Sequence, residues 1–449
     1  MKRTASLYYT LTLLLFALMF VWPIGHTISL RLVLFFCALL CAGLLVHAEG
    51  RQTVATDEPY IKAAVFLWLA LSAWILLGAL TFASDPAKVL IELRSQWLRG
   101  GLAGLLGFLA AALVLRGRSP IAPPLMFSLI VAPMFLQTLI QAVYSLWLWW
   151  GSGALPFDKT LLVEGKAKVS YLTNTALAIV CAELMARIAF RRFFLPLGSR
   201  FLVALIPLLL LCLYLLGVRN GVFGAVFLFL SCLVFYAISQ RQRMRGAVLA
   251  LILAAGIAAV ASFAWVAEKA DIRWQNFAQT VPIAWDTQTH RAWLNQKMHP
   301  YPHLPDGRIV DVSAYERIAW IKEGILLLKE HPLGFGYSRT AFSDGLVAKY
   351  PGEVLPGAHS HSGLLDFALG TGLPGLLLWF ALIACLLTLG WRGFFRYHHP
   401  AGLALLFVVT GFFGRSLIDS NLRDHMLEQS LFLCGLLAAF SLPQNRSEP

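Results

Sequence analysis

The sequence contains little charge and no arrangement of cysteines that points to a metal or a disulfide. Charged residues make up 13% of its 449 residues, against about 25% in a typical soluble domain. All seven cysteines lie within apolar runs, and no CxxC pair or Cys/His cluster at zinc spacing occurs. No GxxxxGK(S/T) sequence is present, so ATP is not expected as an energy source. The acidic residues are too scattered for a carboxylate-bound metal or a glycosidase carboxylate pair.

Apolar sequence is abundant instead. Hydrophobic residues make up 59% of the chain and the mean hydropathy is +0.71, which excludes a water-soluble globular fold. A membrane span needs about 20 mostly apolar residues, because the hydrocarbon core is about 30 Å thick. Twelve segments qualify, with approximate bounds 7–24, 28–48, 61–83, 99–115, 121–148, 169–190, 200–217, 220–239, 246–266, 363–390, 400–418 and 426–442. The sequence therefore predicts an all-α polytopic membrane protein with about 12 transmembrane helices.

The net charge of +13 is explained best as a topology signal. If twelve spans are correct, basic residues recur on one side of the membrane only. They are Lys2, Arg3, Arg116, Arg118, Arg187, Arg191, Arg192, Arg200, Arg241, Arg243, Arg245, Arg392, Arg396 and Arg446. The positive-inside rule assigns that side to the cytoplasm, so both termini are predicted to be cytoplasmic. Nucleic acid is not expected as a partner.

One connection is much longer and more polar than the others. Residues 267–362 separate the ninth predicted span from the tenth, and on this topology they face the periplasm. Between 267 and 357 the ten Lys/Arg residues balance the ten Asp/Glu residues. We therefore divide the chain into spans 1–9 at 1–266, a large periplasmic loop at 267–362, and spans 10–12 with a short cytoplasmic tail at 363–449.

The loop is predicted to be partly helical. The sequence from Ser313 to Glu316 matches a capping box, in which the first residue caps a helix that starts there. Apolar residues then recur at helical spacing, at Ile318, Ile321, Ile325 and Leu328. Pro332 is expected to end this helix.

Three residues on the predicted periplasmic side can carry chemistry. His361 lies at the entrance to the tenth span and can exchange a proton near neutral pH, although an interfacial capping role fits equally well. Arg219 separates two spans and can bind an anion or extend to the lipid head groups. Arg317 lies on the predicted loop helix, where a surface ion pair is the simpler explanation for one arginine.

Other charges are harder to interpret. Arg415 and Arg423 belong to a charged stretch between the last two spans, which suits a functional site or a structural ion-pair network. The charges between Asp85 and Arg99 suit an amphipathic helix at the membrane boundary. Lys159, Lys166 and Lys168 can contact phosphates or the membrane surface.

Several of these residues together resemble the signature of the O-antigen ligase and polymerase superfamily. His361-Ser362, nine further residues and then Gly372-Leu-Pro-Gly375 are similar to the family pattern H-(N/S/Q)-x9-G-x-x-G. Arg317 followed by the segment 330–336 (EHPLGFG) resembles the family's arginine-bearing helix and P-x-G-x-G turn. The segment 216–221 (LGVRNG) resembles its S-R-x-G motif, although Val218 stands in the place of the usual serine.

The resemblance implies a glycosyltransferase of the bacterial inner membrane that works at the periplasmic leaflet. The family's ligases move a glycan from undecaprenyl diphosphate to a sugar hydroxyl of lipid A–core, and they need neither a metal nor another cofactor. By this resemblance His361 is the general base of an inverting displacement, while Arg219 and Arg317 stabilise the leaving diphosphate. The implied partners are the lipid-linked glycan, the lipid A–core acceptor and membrane lipids.

The remaining residues receive secondary roles. His359 also precedes a serine, but the same spacing counted from it places Leu373 at the second glycine, so His361 is the better base. His359, Arg415 and Arg423 are predicted to help bind substrate. The motif residues predicted to have a structural role are Ser362, Gly372 and Gly375.

Three alternatives remain open from the sequence. An O-antigen polymerase would use the same donor with a second lipid-linked glycan as its acceptor. A protein O-oligosaccharyltransferase would accept a serine side chain. A transporter of lipid-linked saccharides is less favoured, because the distinctive polar residues concentrate on one side instead of at the midplane of two repeated halves.

Overall fold

The fold is a bundle of apolar helices with a smaller folded segment at one end. The computed structural model describes residues 2–54, 56–83, 85–241, 245–269, 273–353 and 359–443. These residues contain no β-strand, only two isolated bridges between extended residues. The predicted all-α class is confirmed. Two of the basic residues used for the topology, Arg243 and Arg446, lie outside the described residues.

Sixteen α-helices are present in the described ranges. In chain order they are α1 (Lys2–Val21), α2 (Ile28–Glu49), α3 (Pro59–Thr81), α4 (Pro86–Glu92), α5 (Arg99–Arg116), α6 (Pro123–Ser152), α7 (Lys166–Phe190), α8 (Ser199–Leu216), α9 (Arg219–Gln240), α10 (Gly246–Lys269), α11 (Arg273–Trp285), α12 (Val312–Glu330), α13 (Ala341–Lys349), α14 (Gly363–Phe395), α15 (Pro400–Ser416) and α16 (Asp424–Phe440). A π-helical turn at Leu93–Leu98 joins α4 to α5.

Each of the twelve predicted spans coincides with a helix. In the described part of the chain, 9 helical stretches are long and apolar enough to cross a membrane. Shorter apolar helices are found within α10 and as α15, and α16 has 17 residues. The protein is therefore a multi-pass membrane protein. The close pair α8 and α9 forms two helices, because Gly217 adopts a left-handed φ of 60° between them.

Connections that were predicted to share a side of the membrane contact one another. At one end of the bundle, Arg392 Nη1 donates to Glu58 Oε1 at 3.0 Å and the Phe194 and His399 rings lie 4.9 Å apart. We call this end the arginine face. At the other end, which we call the loop face, Arg339 Nε donates to Glu92 Oε1 at 2.8 Å. This arrangement of the two ends agrees with an even number of membrane crossings between one arginine cluster and the next along the chain.

The segment 286–353 folds into a small unit with its own apolar core on the loop face. Trp293, Tyr315, Trp320 and Phe342 are buried in it. Leu365 and Leu369 of α14 belong to the same cluster, so the unit is packed directly onto a membrane helix. Burial of these aromatic side chains is a large stabilising contribution, because each one typically removes about 150–250 Å² of mostly apolar surface from water.

The predicted start of the loop helix is wrong by a few residues. Helix α12 begins at Val312, and its N-cap is Asp311, whose carboxylate accepts the backbone N–H of Ala314 at 3.2 Å. Glu316 does not close a capping box, since its carboxylate accepts the Tyr301 hydroxyl at 2.6 Å. Asp311 is as good a cap as serine. The predicted end is confirmed, because α12 stops at Glu330, two residues before Pro332.

Candidate active site

A cavity of about 210 Å³ on the loop face brings three predicted residues together. Arg219 reaches it from the first residue of α9, Arg317 from α12, and His361 from the turn that precedes α14. Apolar side chains line most of the remaining wall, namely Phe223, Phe277, Ile318, Ile321 and Ile418, and Asn220 and Ser313 add polar groups. Three elements that are far apart in sequence thus place two cations and an imidazole around one space.

Arg219 connects the membrane bundle to the loop unit. Its Nη1 donates to Asp311 Oδ2 at 2.8 Å, and Asp311 Oδ1 at the same time caps α12. The Asp311 backbone N–H in turn donates to Thr280 Oγ1 at 3.2 Å. The carboxylate therefore fixes the start of the arginine-bearing helix relative to α9. This holds Arg219 at the cavity, and among the described residues its other terminal nitrogen has no hydrogen bond.

Arg317 is half-buried and has no ion-pair partner among the described residues. Burial lowers the pKa of its guanidinium and nearby Arg219 lowers it further, while Asp419 and Asp311 act in the opposite direction. The group stays protonated, because arginine is not deprotonated in proteins. A desolvated cation that lacks an ion-pair partner in the described part of the chain is unfavourable. An anion bound in the cavity would remove that cost.

His361 is held in an unusual backbone conformation. Its φ is +58°, in the left-handed region that histidine visits more readily than most residues. The next residue, Ser362, caps α14 by accepting the Leu365 N–H at 3.3 Å and donates to the Ser416 carbonyl at 3.2 Å. The His361 ring stacks on Trp320, with centroids 5.3 Å apart and planes inclined by 8°. Backbone and ring are therefore both fixed at the cavity wall.

The imidazole of His361 is neutral at physiological pH. Burial lowers its pKa to about 4, and the charges of Arg317 and Arg423 act in the same direction, against Asp419. In the part of the chain that the structure describes, neither of its ring nitrogens has a hydrogen bond. A neutral, unengaged imidazole can accept a proton. Because the same cations that lower its pKa are neutralised by a bound anion, its basicity rises when such a ligand enters.

His359 lies beside His361, with ring centroids 4.3 Å apart, but it is engaged differently. Its Nδ1 accepts the backbone N–H of His361 at 3.2 Å and lies 3.1 Å from Ser420 Oγ. Ser420 also donates to Asp366 Oδ2 at 3.1 Å. Burial lowers the pKa of His359 to about 3. These contacts hold the turn that presents His361.

The motif glycines lie where α14 meets the turn that follows α12. Gly372 has a φ of +68° and kinks α14, and a side chain there would overlap the Leu333 carbonyl. The Leu373 N–H donates to the Pro332 carbonyl at 2.8 Å. Gly334 has a φ of +82° and faces α14 so closely that a Cβ would lie 2.7 Å from the Gly372 nitrogen. The two glycine motifs thus pack against each other and set the position of α12.

Gly375 lies one turn after the kink, where a Cβ would overlap the Thr371 side chain. The carbonyl of Thr371 accepts the Trp74 indole N–H at 2.7 Å. This bond from α3 satisfies a backbone acceptor that the kink takes out of regular helix geometry. An unsatisfied carbonyl within a membrane protein is costly, so α3 stabilises the kink.

Arg415 and Arg423 do not line the 210 Å³ cavity. Arg415 is buried, with Nη2 donating to Asp419 Oδ2 at 2.9 Å and to the Ala167 carbonyl at 2.6 Å. It lines a larger cavity of about 350 Å³ between α7, α9 and α15, which shares Asn220, Phe223 and Ile418 with the first. Arg423 lines a separate small recess beyond His359. Their predicted role in substrate binding stays a prediction.

The weaker candidates lie elsewhere. Asp85 caps α4 by accepting the Lys88 N–H at 3.0 Å, and this helix continues through the π-helical turn into α5. Lys166 pairs with Asp158 and Lys168 with Glu164. In the described ranges, no group of three or more His, Cys, Asp or Glu side chains is arranged to hold a metal ion.

Two residues that contact the side chains of the site were missed in the sequence. Asp311 pairs with Arg219 across 92 residues, a contact that no local pattern reveals. Trp320, which stacks on His361, was detectable in part. It lies three residues after Arg317, and this spacing places both side chains on one helix face.

These features define a class of protein, a multi-pass membrane protein with a site of two arginines and one histidine where the helix bundle meets a folded loop. Residues 202–380 match the family described as O-antigen ligase. This match supports membership of the O-antigen ligase and polymerase superfamily. The matched segment runs from α8 into α14 and contains Arg219, Arg317 and His361. No curated protein matches the chain. The family belongs to membrane glycosyltransferase-like enzymes of lipopolysaccharide synthesis.

Proposed function

We propose that the protein is an O-antigen ligase of the bacterial inner membrane. It transfers a glycan from undecaprenyl diphosphate to a sugar hydroxyl of lipid A–core, with the loop face toward the periplasm and both termini in the cytoplasm. Spans 1–9 occupy residues 1–266, the periplasmic loop residues 267–362, and spans 10–12 residues 363–449. The observation that carries this proposal is the shared cavity of Arg219, Arg317 and His361 within the family-matched segment.

The two arginines bind the donor diphosphate. Arg219 and Arg317 bring two positive charges to the cavity, and Asp311 compensates only one of them. Guanidinium groups match phosphate oxygens through paired N–H donors. Negative charge grows on the diphosphate as the glycosidic bond breaks, so these contacts are stronger in the transition state than before it.

His361 activates the acceptor. The hydroxyl proton passes to a ring nitrogen while the oxygen forms a bond to the anomeric carbon, and the bond from that carbon to the diphosphate breaks. Undecaprenyl diphosphate leaves, and the single displacement inverts the anomeric configuration. The neutral state of His361 and its freedom from hydrogen bonds among the described residues support this role. The activated donor supplies the driving force, so the reaction needs no ATP or metal.

The isoprenoid tail of the donor has a suitable place beside the site. The cavity of about 350 Å³ adjoins the arginine-lined one and lies between membrane helices, and most of its wall is apolar. Phe223 and Phe227 lie on its wall and are about half exposed, at 51% each, toward the surrounding membrane. A lipid chain can therefore enter sideways while its diphosphate meets the arginines.

A purified reaction tests the function. The protein is reconstituted in liposomes with lipid-linked O-antigen and lipid A–core, without ATP and with a metal chelator. Glycan attached to core is the expected product. Longer lipid-linked glycans without capped core would make the protein a polymerase, and glycan on an added serine-containing acceptor protein would make it an oligosaccharyltransferase. Movement of the donor across the bilayer without any new glycosidic bond would make it a transporter.

A further inference from the structure

A second recess lies next to the histidine pair. Ser420 and Asp366, which hydrogen-bond around His359, form part of its wall. Gln96, Ser338, Arg339 and Arg423 supply other polar groups. His361 lines the arginine cavity, and the contact between Ser420 and the ring of the adjacent His359 connects the recess with the histidine pair.

The charges of this recess nearly cancel, unlike those of the arginine cavity. Arg339 donates to Glu92 Oε1 at 2.8 Å and lies 3.5 Å from Asp424 Oδ1. Asp366 adds a third carboxyl group. Arg423 supplies a second guanidinium, and it has no ion-pair partner in the described part of the chain. Asp366 lines the recess, and Glu92 and Asp424 compensate Arg339 from beside it, so the balance favours a neutral polar ligand over a phosphate.

The size and chemistry of the recess match a pair of sugar hydroxyls. Its volume of about 30 Å³ holds about two water-sized groups. Two adjacent ring hydroxyls present both donors and acceptors, which an arginine fork and a carboxylate can satisfy together. Tyr337 and Phe367 form an apolar part of the wall, suited to the C–H face of a sugar ring.

We propose that this recess binds the acceptor sugar through Arg423 and Asp366, so that its reactive hydroxyl lies next to the histidine pair. The inference rests on the proposed glycosyl transfer, but it holds for either a ligase or a polymerase acceptor. An inverting displacement requires the incoming oxygen and the leaving diphosphate to lie on opposite sides of the anomeric carbon. The recess and the arginine cavity share no lining residue, so the acceptor and the diphosphate can be held at different places around the anomeric carbon.

Kinetic constants for the two substrates test the proposal. Transfer is measured in liposomes for the wild type and for Arg423→Met, with donor and lipid A–core varied separately. Loss of a charge-assisted hydrogen bond should raise KM for the acceptor about tenfold or more, with KM for the donor within about twofold. Arg308→Met, which removes an exposed arginine of the loop unit, serves as the matched control and should change neither constant.

The outcomes separate this proposal from the function itself. A raised KM for the donor, or no change in either constant, overturns the acceptor recess while the ligase function stands. If the wild type extends lipid-linked glycans instead of capping core, the ligase proposal fails and the same comparison uses the second lipid-linked glycan as acceptor.

A binding measurement tests the proposal even where the purified protein shows no transfer activity. Delipidated core oligosaccharide should bind the purified wild type about tenfold more tightly than Arg423→Met, by the same lost hydrogen bond. Equal binding to both proteins overturns the recess. If the wild type does not bind the core oligosaccharide, the measurement is repeated with the glycan of a polymerase acceptor, and absence of binding to both glycans overturns the recess. If Arg423→Met does not fold, Arg423→Lys replaces it and is expected to raise the same acceptor constant, because an ammonium cannot reproduce the planar fork. An unchanged constant in this variant counts against the proposal.

Discussion

The two ends of the helix bundle use arginine in different ways. On the arginine face, most basic side chains are exposed to solvent, namely Arg191, Arg192, Arg200, Arg241, Arg245 and Arg396. Arg392 is less exposed but pairs with Glu58. On the loop face, Arg317 and Arg423 are half-buried and lack an ion-pair partner among the described residues. Hydrated or paired charges set orientation at little cost, whereas desolvated, uncompensated charges are retained where an anion or a polar substrate binds.

The largest expected effect is the loss of transfer when His361 is replaced. His361→Ala should lower the transfer rate by about 10²–10⁴-fold, because it removes the proton acceptor. The rate is measured with purified protein in liposomes, and the amount of folded protein in the membrane is the control. Full capping of lipopolysaccharide in cells that contain only this variant would disprove the general-base role.

The next effect compares an arginine from each end of the bundle. Arg317→Ala should lower transfer by about 10²–10³-fold, as expected for losing one donor to a developing negative charge. Arg396→Ala, on the exposed arginine face, should leave the rate unchanged. Transfer assays on both variants check the contrast. Equal losses of transfer rate in Arg317→Ala and Arg396→Ala would mean that a half-buried arginine of the loop face contributes no more to transfer than an exposed arginine of the arginine face.

The glycine contact between α12 and α14 predicts an effect on stability. Gly372→Ala places a side chain at a φ of +68° and against the Leu333 carbonyl. We expect destabilisation of at least about 1–3 kcal/mol from the backbone strain, seen as a lower thermal midpoint in detergent. Gly43→Ala in α2 has open space around its Cβ and should be neutral or slightly stabilising. A neutral Gly372→Ala would contradict the packing of the two motifs.

The smallest effect concerns pH. His361 acts in its neutral form and has a pKa of about 4. We therefore expect kcat/KM to be constant at neutral pH and to fall only well below about 6.5, the pKa of an unperturbed histidine. Arg423→Met removes one of the charges that lower this pKa, so its acidic limb should move to higher pH. A wild-type limb at or above pH 6.5 would argue against a buried imidazole base.

Much of the fold follows from the sequence because hydrocarbon thickness imposes the length of every apolar run. The separation of α8 from α9 was visible at Val218 and Arg219 for this reason. The start of α12 was misplaced because Asp311 and Ser313 are both good caps, and the choice between them depends on Arg219, which is distant in sequence.

The site was only partly accessible from the sequence. The family motif singled out His361 over His359, and the structure adds a physical difference between the two rings. His359 is occupied by the His361 backbone and Ser420, whereas His361 stacks on Trp320 and faces the cavity. Such differences arise from tertiary contacts, as does the separation of Arg415 and Arg423 from the arginine cavity.

The central claim is that arginines hold the donor diphosphate while His361 acts on the acceptor. The most direct test is the affinity of purified protein for undecaprenyl diphosphate, measured for the wild type, Arg317→Ala and His361→Ala. The account predicts binding about tenfold or more weaker for Arg317→Ala, from the loss of a charge-assisted contact, and nearly unchanged binding for His361→Ala. Wild-type affinity in Arg317→Ala, or a loss of affinity confined to His361→Ala, would contradict it.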